Sequence, residues 1–377
     1  MVYLDNAATT KVRQEAVDAA VNAMEKQYGN PSSLHRFGLE AENIVTAARK
    51  TIAKTLGCTP AELFFTSGAT ESSNLAILGG TKAMRRRGNR VVTTTVEHPA
   101  TGHPFDELEK QGLEVIRISP RENGKFAPED FVEAVNDQTI LVSCMYVNNE
   151  TGLILPIDEI GKKIKRKSPN LLFHVDAVQA FGKLPFQVGR MPVDMMSISG
   201  HKIYAPKGIG ALYLKKGVRV LPRNLGGGQE KGLRSGTESV PMIAGFGTAI
   251  QAIAPSIRRN LSYYQELNHY LREQMEGIPG IVWNSQLDDA PYICNFSVLG
   301  IRSEIMLHFL EQKEIYVSSG SACSKGAHSG VLSELGCSDQ QVDSALRISF
   351  SYETTKQDLD CLIAGLQEGM ATLARQK

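Results

Sequence analysis

Hydrophobic and polar positions follow two patterns along the first two thirds of the chain. Residues 12–28 and 39–56 repeat apolar side chains at helical spacing, and a glycine follows each segment. Short apolar runs then recur between glycine, proline or polar residues, at 63–65, 91–93, 115–118, 141–143, 171–173 and 195–198. Strands that alternate with helical segments predict an α/β domain with a largely parallel sheet.

The pattern changes after about residue 254. There it predicts a long helix, then a strand, a helix, a strand and a helix, at 257–275, 292–298, 305–312, 345–351 and 355–373. This order is typical of a smaller α+β domain, and 377 residues are too many for one ordinary core. We therefore predict a large domain at 15–255 and a small domain formed by 1–14 and 256–377.

Composition narrows the class of protein. The chain is 42% hydrophobic and 21% charged, with a net charge of +1, so no basic field for nucleic acid or a membrane surface is expected. The N-terminus lacks a signal-peptide pattern, and no uninterrupted apolar stretch is long enough to span a bilayer. The six cysteines form no Cys-x-x-Cys pair, which disfavours a zinc site or a disulfide framework. We expect a cytoplasmic protein.

Ligands bind beyond the carboxyl ends of parallel strands, so the residues that follow each apolar run are candidates for chemistry. Residues 66–71 form a glycine-containing loop before a helix, which suits a phosphate because the backbone N–H groups are free there. A helix capped by Ser67 or Thr70 is the simpler alternative. His98 follows the next run and could stack on a flat cofactor or move protons, although a lone histidine is more often structural.

Three further strand ends carry polar residues. The pair Asn148-Asn149 favours a turn. Asp176 would be costly to bury unless it caps a turn or meets a cation, and a protonated pyridine nitrogen is such a cation. Lys202 stands among small residues at a strand end, where a desolvated amine can form a Schiff base. The joint order of phosphate loop, histidine, asparagine, aspartate and lysine predicts a pyridoxal 5'-phosphate site with the cofactor on Lys202.

These residues resemble those of the cysteine desulfurases, the NifS/IscS-like branch of the class V aminotransferases among the fold-type I pyridoxal-phosphate enzymes. The resemblance implies a large domain with a mainly parallel seven-stranded sheet flanked by helices, plus a smaller α+β domain. It rests on motifs over nearly the whole chain, at 3–10, 28–33, 68–72, 97–98, 148–150, 174–176, 199–202, 234–237, 318–323 and 346–349.

The resemblance also implies roles for the residues around the cofactor. Lys202 would hold the cofactor and shuttle the Cα proton, while His98 would stack on the ring and assist proton transfer. Asp176 would pair with the pyridinium nitrogen, and Gln179 would meet the ring hydroxyl. The residues implied to bind the phosphate are Ala69, Thr70, Ser199 and His201.

Further roles concern the substrate and a second subunit. Thr237 would reach the phosphate of the neighbouring subunit, which implies a homodimer. Asn149 and Arg347 would hold the carboxylate of the substrate, L-cysteine, and a bidentate arginine suits that task. Cys323 would attack the substrate sulfur and become a persulfide as alanine leaves. It could also ligate a transferred iron–sulfur cluster, and no resident metal is expected.

The Cys323 nucleophile must be a thiolate, so a nearby positive group is expected to lower its pKa, with Lys325 and His328 as candidates from sequence proximity. Residues 325–330 and the short C-terminus depart from the family pattern. The sulfur acceptor therefore stays open between an iron–sulfur scaffold, a tRNA-thiolation protein and another carrier.

Two alternatives to a cysteine desulfurase remain. An aminotransferase or a selenocysteine lyase would share the fold, although an aminotransferase has no need of Cys323. A catalytically silent partner of a sulfur-transfer complex would have little reason to keep Lys202, Asp176, His98 and Arg347, which argues against that alternative.

Overall fold

Three sheets organise the chain, and the computed structural model describes residues 1–319 and 330–374. The strands are β1 (Val2–Tyr3), β2 (Leu63–Thr66), β3 (Arg90–Thr94), β4 (Glu114–Ile118), β5 (Thr139–Met145), β6 (Leu172–Asp176), β7 (Met195–Ser199), β8 (Gly210–Leu214), β9 (Ile281–Trp283), β10 (Ile293–Val298), β11 (Ile315–Tyr316), β12 (Ser318–Ser319) and β13 (Ala345–Ser349). The helices are α1 (Gln14–Glu25), α2 (Arg36–Leu56), α3 (Ala69–Asn74), α4 (Gly80–Met84), α5 (Pro99–Lys110), α6 (Pro128–Ala134), α7 (Ile157–Lys167), α8 (Val240–Ile253), α9 (Ile257–Met275), α10 (Ser303–Glu311), α11 (Gly330–Glu334), α12 (Asp339–Asp343) and α13 (Lys356–Thr372).

The seven-stranded sheet has the order β2-β8-β7-β6-β5-β3-β4. The five strands from β7 to β4 run parallel, whereas β8 is antiparallel to both of its neighbours. Every apolar run of the sequence forms one of these strands, and β8 is the strand that the pattern did not predict. The predicted fold class, a mainly parallel seven-stranded sheet with a smaller α+β part, is confirmed.

The small antiparallel sheet has the order β12-β13-β10-β9. The first strand of the chain belongs with this part, because β1 pairs in parallel with β11. The strands of the large sheet all lie between residues 63 and 214, and those of the small sheet between 281 and 349. The division at residues 14 and 255 stays a prediction.

Burial explains why the central strands read as continuous apolar runs. All residues of β5, β6 and β7 are buried, as expected for parallel strands covered on both faces. Helix α7 covers the sheet with an apolar stripe that includes Ile157, Ile160 and Ile164, while its polar face carries charged side chains.

Helices α8 and α9 with the turn between them run from Val240 to Met275 and reach a mean hydropathy of 1.4 over 18 residues. By length and composition alone this stretch could cross a membrane. Half of that window is buried inside the protein, however, and the core helix of a soluble protein passes the same test.

A buried polar chain crosses the strands beneath α3. His174 contacts the hydroxyls of Ser143 on β5 and Ser197 on β7, both at 2.8 Å, and Ser73 of α3 donates to Ser197 at 3.0 Å. Burial lowers the pKa of His174 to about 3, so the ring is neutral and can donate on one side and accept on the other. These hydrogen bonds fix α3 above β7, the strand that leads to Lys202.

Candidate active site

A cavity of about 540 Å³ opens at the carboxyl ends of β5, β6 and β7. This is where an open α/β sheet is expected to bind a ligand. The cavity brings together residues that the sequence places up to 340 positions apart, from Ala7 to Arg347. The predicted site residues that line it are Ala69, Thr70, His98, Asn149, Asp176, Gln179, Ser199, His201, Lys202 and Arg347.

The predicted phosphate loop leads from β2 into α3, whose N-cap is Gly68. No side chain caps this helix, so neither Ser67 nor Thr70 is the cap that the simpler interpretation expected. The Glu71 carboxylate accepts from the Ser67 N–H at 2.6 Å and pairs with Arg234 at 2.8 Å. A Cβ on Gly210 of β8 would lie 2.7 Å from the Gly68 Cα, so glycine at 210 lets the loop approach the sheet.

Lys202 follows β7, and its amine donates to the carbonyl oxygens of Ala7 and Ala8 at 2.8 and 2.6 Å. Both carbonyls belong to residues 5–10, which we call the N-terminal strap. The strap is anchored on β13, where the Ala7 N–H donates to the Ser349 hydroxyl at 2.7 Å. At its other end the Thr10 N–H donates to the His201 carbonyl at 2.9 Å. The strap therefore ties the small sheet to the loop that carries Lys202.

Asp176 ends β6 and is 6% exposed. One of its carboxylate oxygens accepts from the Val178 N–H at 3.0 Å, so it does cap the next turn. The other has a long contact of 3.5 Å with the Thr101 hydroxyl, which leaves it room for another donor. Burial raises the pKa of Asp176, and a cation that reaches this oxygen would favour the ionised form.

His98 is the N-cap of α5, and its Nδ1 accepts from the Ala100 N–H at 3.1 Å. Burial lowers the pKa of His98, so the ring is mostly neutral near pH 7. Since Nδ1 accepts, the neutral ring carries its proton on Nε2. His98 can therefore stack in the cavity and donate from Nε2.

Gln179 is buried in the turn after β6, and its amide is held on both sides. The Nε2 group donates to the Ala7 carbonyl at 2.9 Å, and Oε1 accepts from the amine of Lys183 at 2.9 Å. The second N–H of Nε2 is the part of this amide with capacity for a ligand.

Arg347 comes from β13 of the small sheet and is 3% exposed. It donates to the Asn149 carbonyl at 2.9 Å and to the Asp5 carboxylate at 2.7 Å. Its Nε is buried without a hydrogen-bond partner among the described residues. Asn148, the other member of the pair, is the turn former, because its Oδ1 accepts from the N–H groups of Glu150 and Thr151.

Ser199 and His201 line the cavity beside Lys202. Ser199 is buried at the end of β7, and His201 Nδ1 lies 3.2 Å from the Thr9 hydroxyl. Burial and the neighbouring Lys202 and Lys207 charges lower the pKa of His201 to about 4. A neutral ring with Nδ1 bonded to Thr9 can donate from Nε2 to an anion, although a bound phosphate would itself raise this pKa.

One predicted site residue lies away from this cavity. Thr237 is exposed and does not line it, as a residue that serves another subunit would be placed. Cys323, Lys325 and His328 lie outside the described residues.

The family model and the similar proteins match nearly the whole length of the chain. Residues 2–362 match the family model "Aminotransferase class-V". A "NifS/IcsS protein homolog" of Lactobacillus delbrueckii subsp. bulgaricus is 42% identical over 98% of this chain and 97% of its own. "Cysteine desulfurase IscS" of Dictyoglomus turgidum is 39% identical over 95% of this chain and 92% of its own.

A solved structure of a "NIFS-like protein" superimposes with a TM-score of 0.94 at 34% identity and covers 99% of this chain and 100% of its own. The chain belongs to the class V aminotransferase family. Its NifS/IscS relatives confirm the resemblance that the motifs indicated, and they confirm that the protein is an enzyme of this family.

Membership of the family implies pyridoxal phosphate, and the cavity of this protein fits that cofactor. A nucleophilic amine, a buried carboxylate with a spare lone pair and a glycine loop before a helix surround one space. These are the groups that an aldehyde, a ring nitrogen and a phosphate require.

Four residues contribute to the site although the sequence pattern did not indicate these contacts. Asp5 holds Arg347, Ala7 and Ala8 accept from Lys202, and Lys183 holds Gln179. The contribution of the alanines is a backbone carbonyl, which no side-chain pattern can reveal. Asp5 was part of a quoted motif, but its partner lies 342 residues away.

Glu97 beside His98 is expected to make stability depend on pH. Its Oε1 accepts from Thr94 and from the Met145 N–H, while Oε2 is buried without a partner among the described residues. Burial raises its pKa from 4.5 to about 8, so between these values the folded protein holds a proton that the unfolded chain has lost. The free energy of unfolding should therefore fall as the pH rises through this window.

Glu97→Gln copies the neutral carboxyl, so this component of the pH dependence should disappear and the variant should be more stable than wild type at about pH 8. Denaturant unfolding at several pH values between 5 and 8 measures it. Glu107→Gln, an exposed carboxylate of α5, is the control and should leave the slope unchanged. Equal slopes for wild type and Glu97→Gln would show that Glu97 is ionised in the folded protein.

Proposed function

We propose that this protein is a cysteine desulfurase that converts L-cysteine to L-alanine and passes the sulfur from Cys323 to an acceptor protein. The observation that carries the proposal is the convergence of Lys202, Asp176 and Arg347 on one cavity from β7, β6 and β13. The relatives named cysteine desulfurase support the same reaction.

In this proposal Lys202 would hold pyridoxal phosphate through its amine, and Asp176 would meet the ring nitrogen. The bound cofactor supplies an electron sink for the electrons of the substrate Cα–H bond. The strap carbonyls that now accept from Lys202 would keep the amine within reach after the substrate takes its place, so that the amine can remove the Cα proton. His98 would pack against the ring and donate from Nε2.

Ala69, Thr70, Ser199 and His201 would hold the phosphate, and Gln179 the ring hydroxyl. The start of α3 adds the positive end of a helix dipole to this group. Thr237 of a second subunit would complete the phosphate site.

Arg347 would bind the carboxylate of L-cysteine, together with Asn149. Each of its two terminal nitrogens keeps a second hydrogen beyond its contact with Asn149 or Asp5. Two parallel N–H groups match a carboxylate. The Asp5 and Asn149 contacts would fix the guanidinium plane before the substrate arrives.

Cys323 would attack the sulfur of the bound substrate as a thiolate, and a positive neighbour such as Lys325 or His328 would favour that form. The sulfur would then pass from the Cys323 persulfide to an iron–sulfur scaffold or a thiolation enzyme in the cytoplasm. The departures at 325–330 leave the choice of acceptor to experiment.

A homodimer would bring Thr237 to the neighbouring cavity. Large apolar side chains are exposed from the end of α1 to the start of α2 and beside the Thr237 loop. Several exposed apolar side chains in neighbouring segments indicate an interaction surface, whereas single ones are normal on any protein. The most exposed are Met24, Tyr28, Leu34, Leu39 and Leu225. A second copy of the chain would cover these side chains, and its Thr237 would complete the phosphate site.

The experiment is turnover of the full-length protein with added pyridoxal phosphate. Alanine should form from L-cysteine, and Cys323→Ala should keep the yellow colour of the bound cofactor while losing sulfur transfer. Normal desulfuration by Cys323→Ala would overturn the assignment.

Parallel assays with L-selenocysteine and with an amino acid plus a keto acid separate the selenocysteine lyase and aminotransferase alternatives. A colourless protein that takes up no cofactor would favour the non-catalytic partner.

A further inference from the structure

Lys183 is a buried lysine to which no role has been assigned. It follows β6 in the turn that also carries Gln179, and it is 5% exposed. Its amine donates to Gln179 Oε1 at 2.9 Å and lies 5.1 Å from the centre of the Tyr292 ring. Among the described residues no carboxylate forms an ion pair with it. A buried ammonium is costly unless something needs its charge or its hydrogens.

The contact with Lys183 decides how the Gln179 amide is turned. An amide has an accepting oxygen and a donating nitrogen, and either could face the cavity. A protonated amine can donate and cannot accept, so the protonated Lys183 requires Oε1 to face it, and Nε2 then faces the Ala7 carbonyl. The Gln179 backbone is held as well, because the Tyr292 hydroxyl donates to its carbonyl at 2.8 Å.

The Nε2 side of Gln179 meets the same atom that Lys202 uses. Nε2 donates to the Ala7 carbonyl at 2.9 Å, and the Lys202 amine donates to that carbonyl at 2.8 Å. Hydrogen bonds thus run from Lys183 through Gln179 to the Ala7 oxygen, where Lys202 joins from the other side.

We propose that Lys183 is a positioning residue of the cofactor site, which holds the Gln179 amide with its N–H side toward the ring hydroxyl oxygen of pyridoxal phosphate. The inference rests on the proposed cofactor site. A ring hydroxyl that has lost its proton needs a hydrogen-bond donor. If the Gln179 amide were flipped, its Oε1 would face the ring oxygen, and two acceptors would meet without a hydrogen between them.

The charges around Lys183 agree with this role. Burial, with the positive charges of Lys202 and Arg347, lowers the pKa of Lys183 to about 7. Its other close neighbours are the Gln179 amide and the ring of Tyr292 from the small domain side. An oxyanion at the ring hydroxyl would favour the protonated amine, so cofactor binding and protonation of Lys183 should support each other.

Lys183→Met in the full-length protein tests the proposal through cofactor affinity and through the pH midpoint of the visible absorption of the bound cofactor. Pyridoxal phosphate is the probe, added to protein freed of it. We expect about tenfold weaker binding, the effect of one charge-assisted hydrogen bond. The pH midpoint should rise, because protonation near the ring becomes easier when a neighbouring positive charge is removed.

A double-mutant cycle separates this role from general packing. In a Gln179→Leu background Lys183→Met should cause no further loss of affinity, since Lys183 acts through Gln179. Lys165→Met is the control, because Lys165 is a half-buried lysine that pairs with Asp194 and does not line the cavity. It should lower thermal stability and leave affinity and midpoint unchanged.

Gln179→Glu gives a second test should Lys183→Met fail to fold. The carboxylate can pair with Lys183, so folding should persist, but the donor toward the ring is gone and affinity should fall by about tenfold. Wild-type affinity and midpoint in Lys183→Met, or wild-type affinity in Gln179→Glu, would overturn the inference. If the wild-type protein itself takes up no pyridoxal phosphate, the proposed function fails instead.

Discussion

Lys202→Ala is expected to lower the turnover of L-cysteine by at least about 10⁴-fold, because one side chain both holds the cofactor and moves the Cα proton. In the structure the amine lies beside the cavity and donates to two carbonyls of the strap. Steady-state alanine formation measures the loss, and borohydride reduction followed by peptide mapping should place the cofactor on Lys202 in wild type alone.

The control for this variant is Lys216→Ala, an exposed lysine in the turn after β8, which should keep wild-type turnover. Thermal unfolding of Lys202→Ala without cofactor should stay near wild type, since a half-buried amine is lost together with its own desolvation cost. Turnover within tenfold of wild type in Lys202→Ala would show that another amine carries the cofactor.

Asp176→Asn is expected to lower turnover by about 10³-fold while folding is preserved. A neutral amide cannot hold a proton on the ring nitrogen, so the ring becomes a weaker electron sink. The Asn oxygen can still accept from the Val178 N–H, and removal of a buried charge should leave stability unchanged or raised. Alanine formation and thermal unfolding of the same preparation are the two measurements.

Asp194→Asn is the matched control for Asp176→Asn. Asp194 is equally buried, at 6% exposed, but it pairs with Lys165 and accepts from the Phe173 N–H at 2.8 Å, away from the cavity. Asp194→Asn should destabilise the protein but leave the turnover of each folded molecule unchanged. The two variants should thus show opposite signatures, and a large stability loss with normal turnover in Asp176→Asn would assign Asp176 a structural role.

Strand ends were predictable because their signal is local. A short, mostly apolar run with a charged residue three or four positions after it marks both β6 with Asp176 and β7 with Lys202. The short strand β8 was missed because it begins two residues after the Pro206-Lys207-Gly208 turn, which resembles a loop that belongs to Lys202. Its antiparallel direction follows from that tight connection.

Long-range partners were not predictable from local pattern. Lys183 stands in a Gly-Lys-Leu-Pro segment that resembles an exposed turn, and it is buried where Tyr292, far along the chain, packs against it. For His98 and for the pair Asn148-Asn149, both the structural and the functional interpretation hold in part. His98 caps a helix and also lines the cavity, while Asn148 forms the turn that presents Asn149.

The central claim is that sulfur leaves L-cysteine at this cavity and moves to Cys323. Its most direct test is peptide mass spectrometry of the wild-type protein, loaded with pyridoxal phosphate and incubated with L-cysteine without reductant. The account predicts one additional sulfur atom on the peptide that contains Cys323, absent in Lys202→Ala and removed by a thiol reductant. An unmodified Cys323 beside accumulated alanine, or a persulfide on another cysteine, would contradict it.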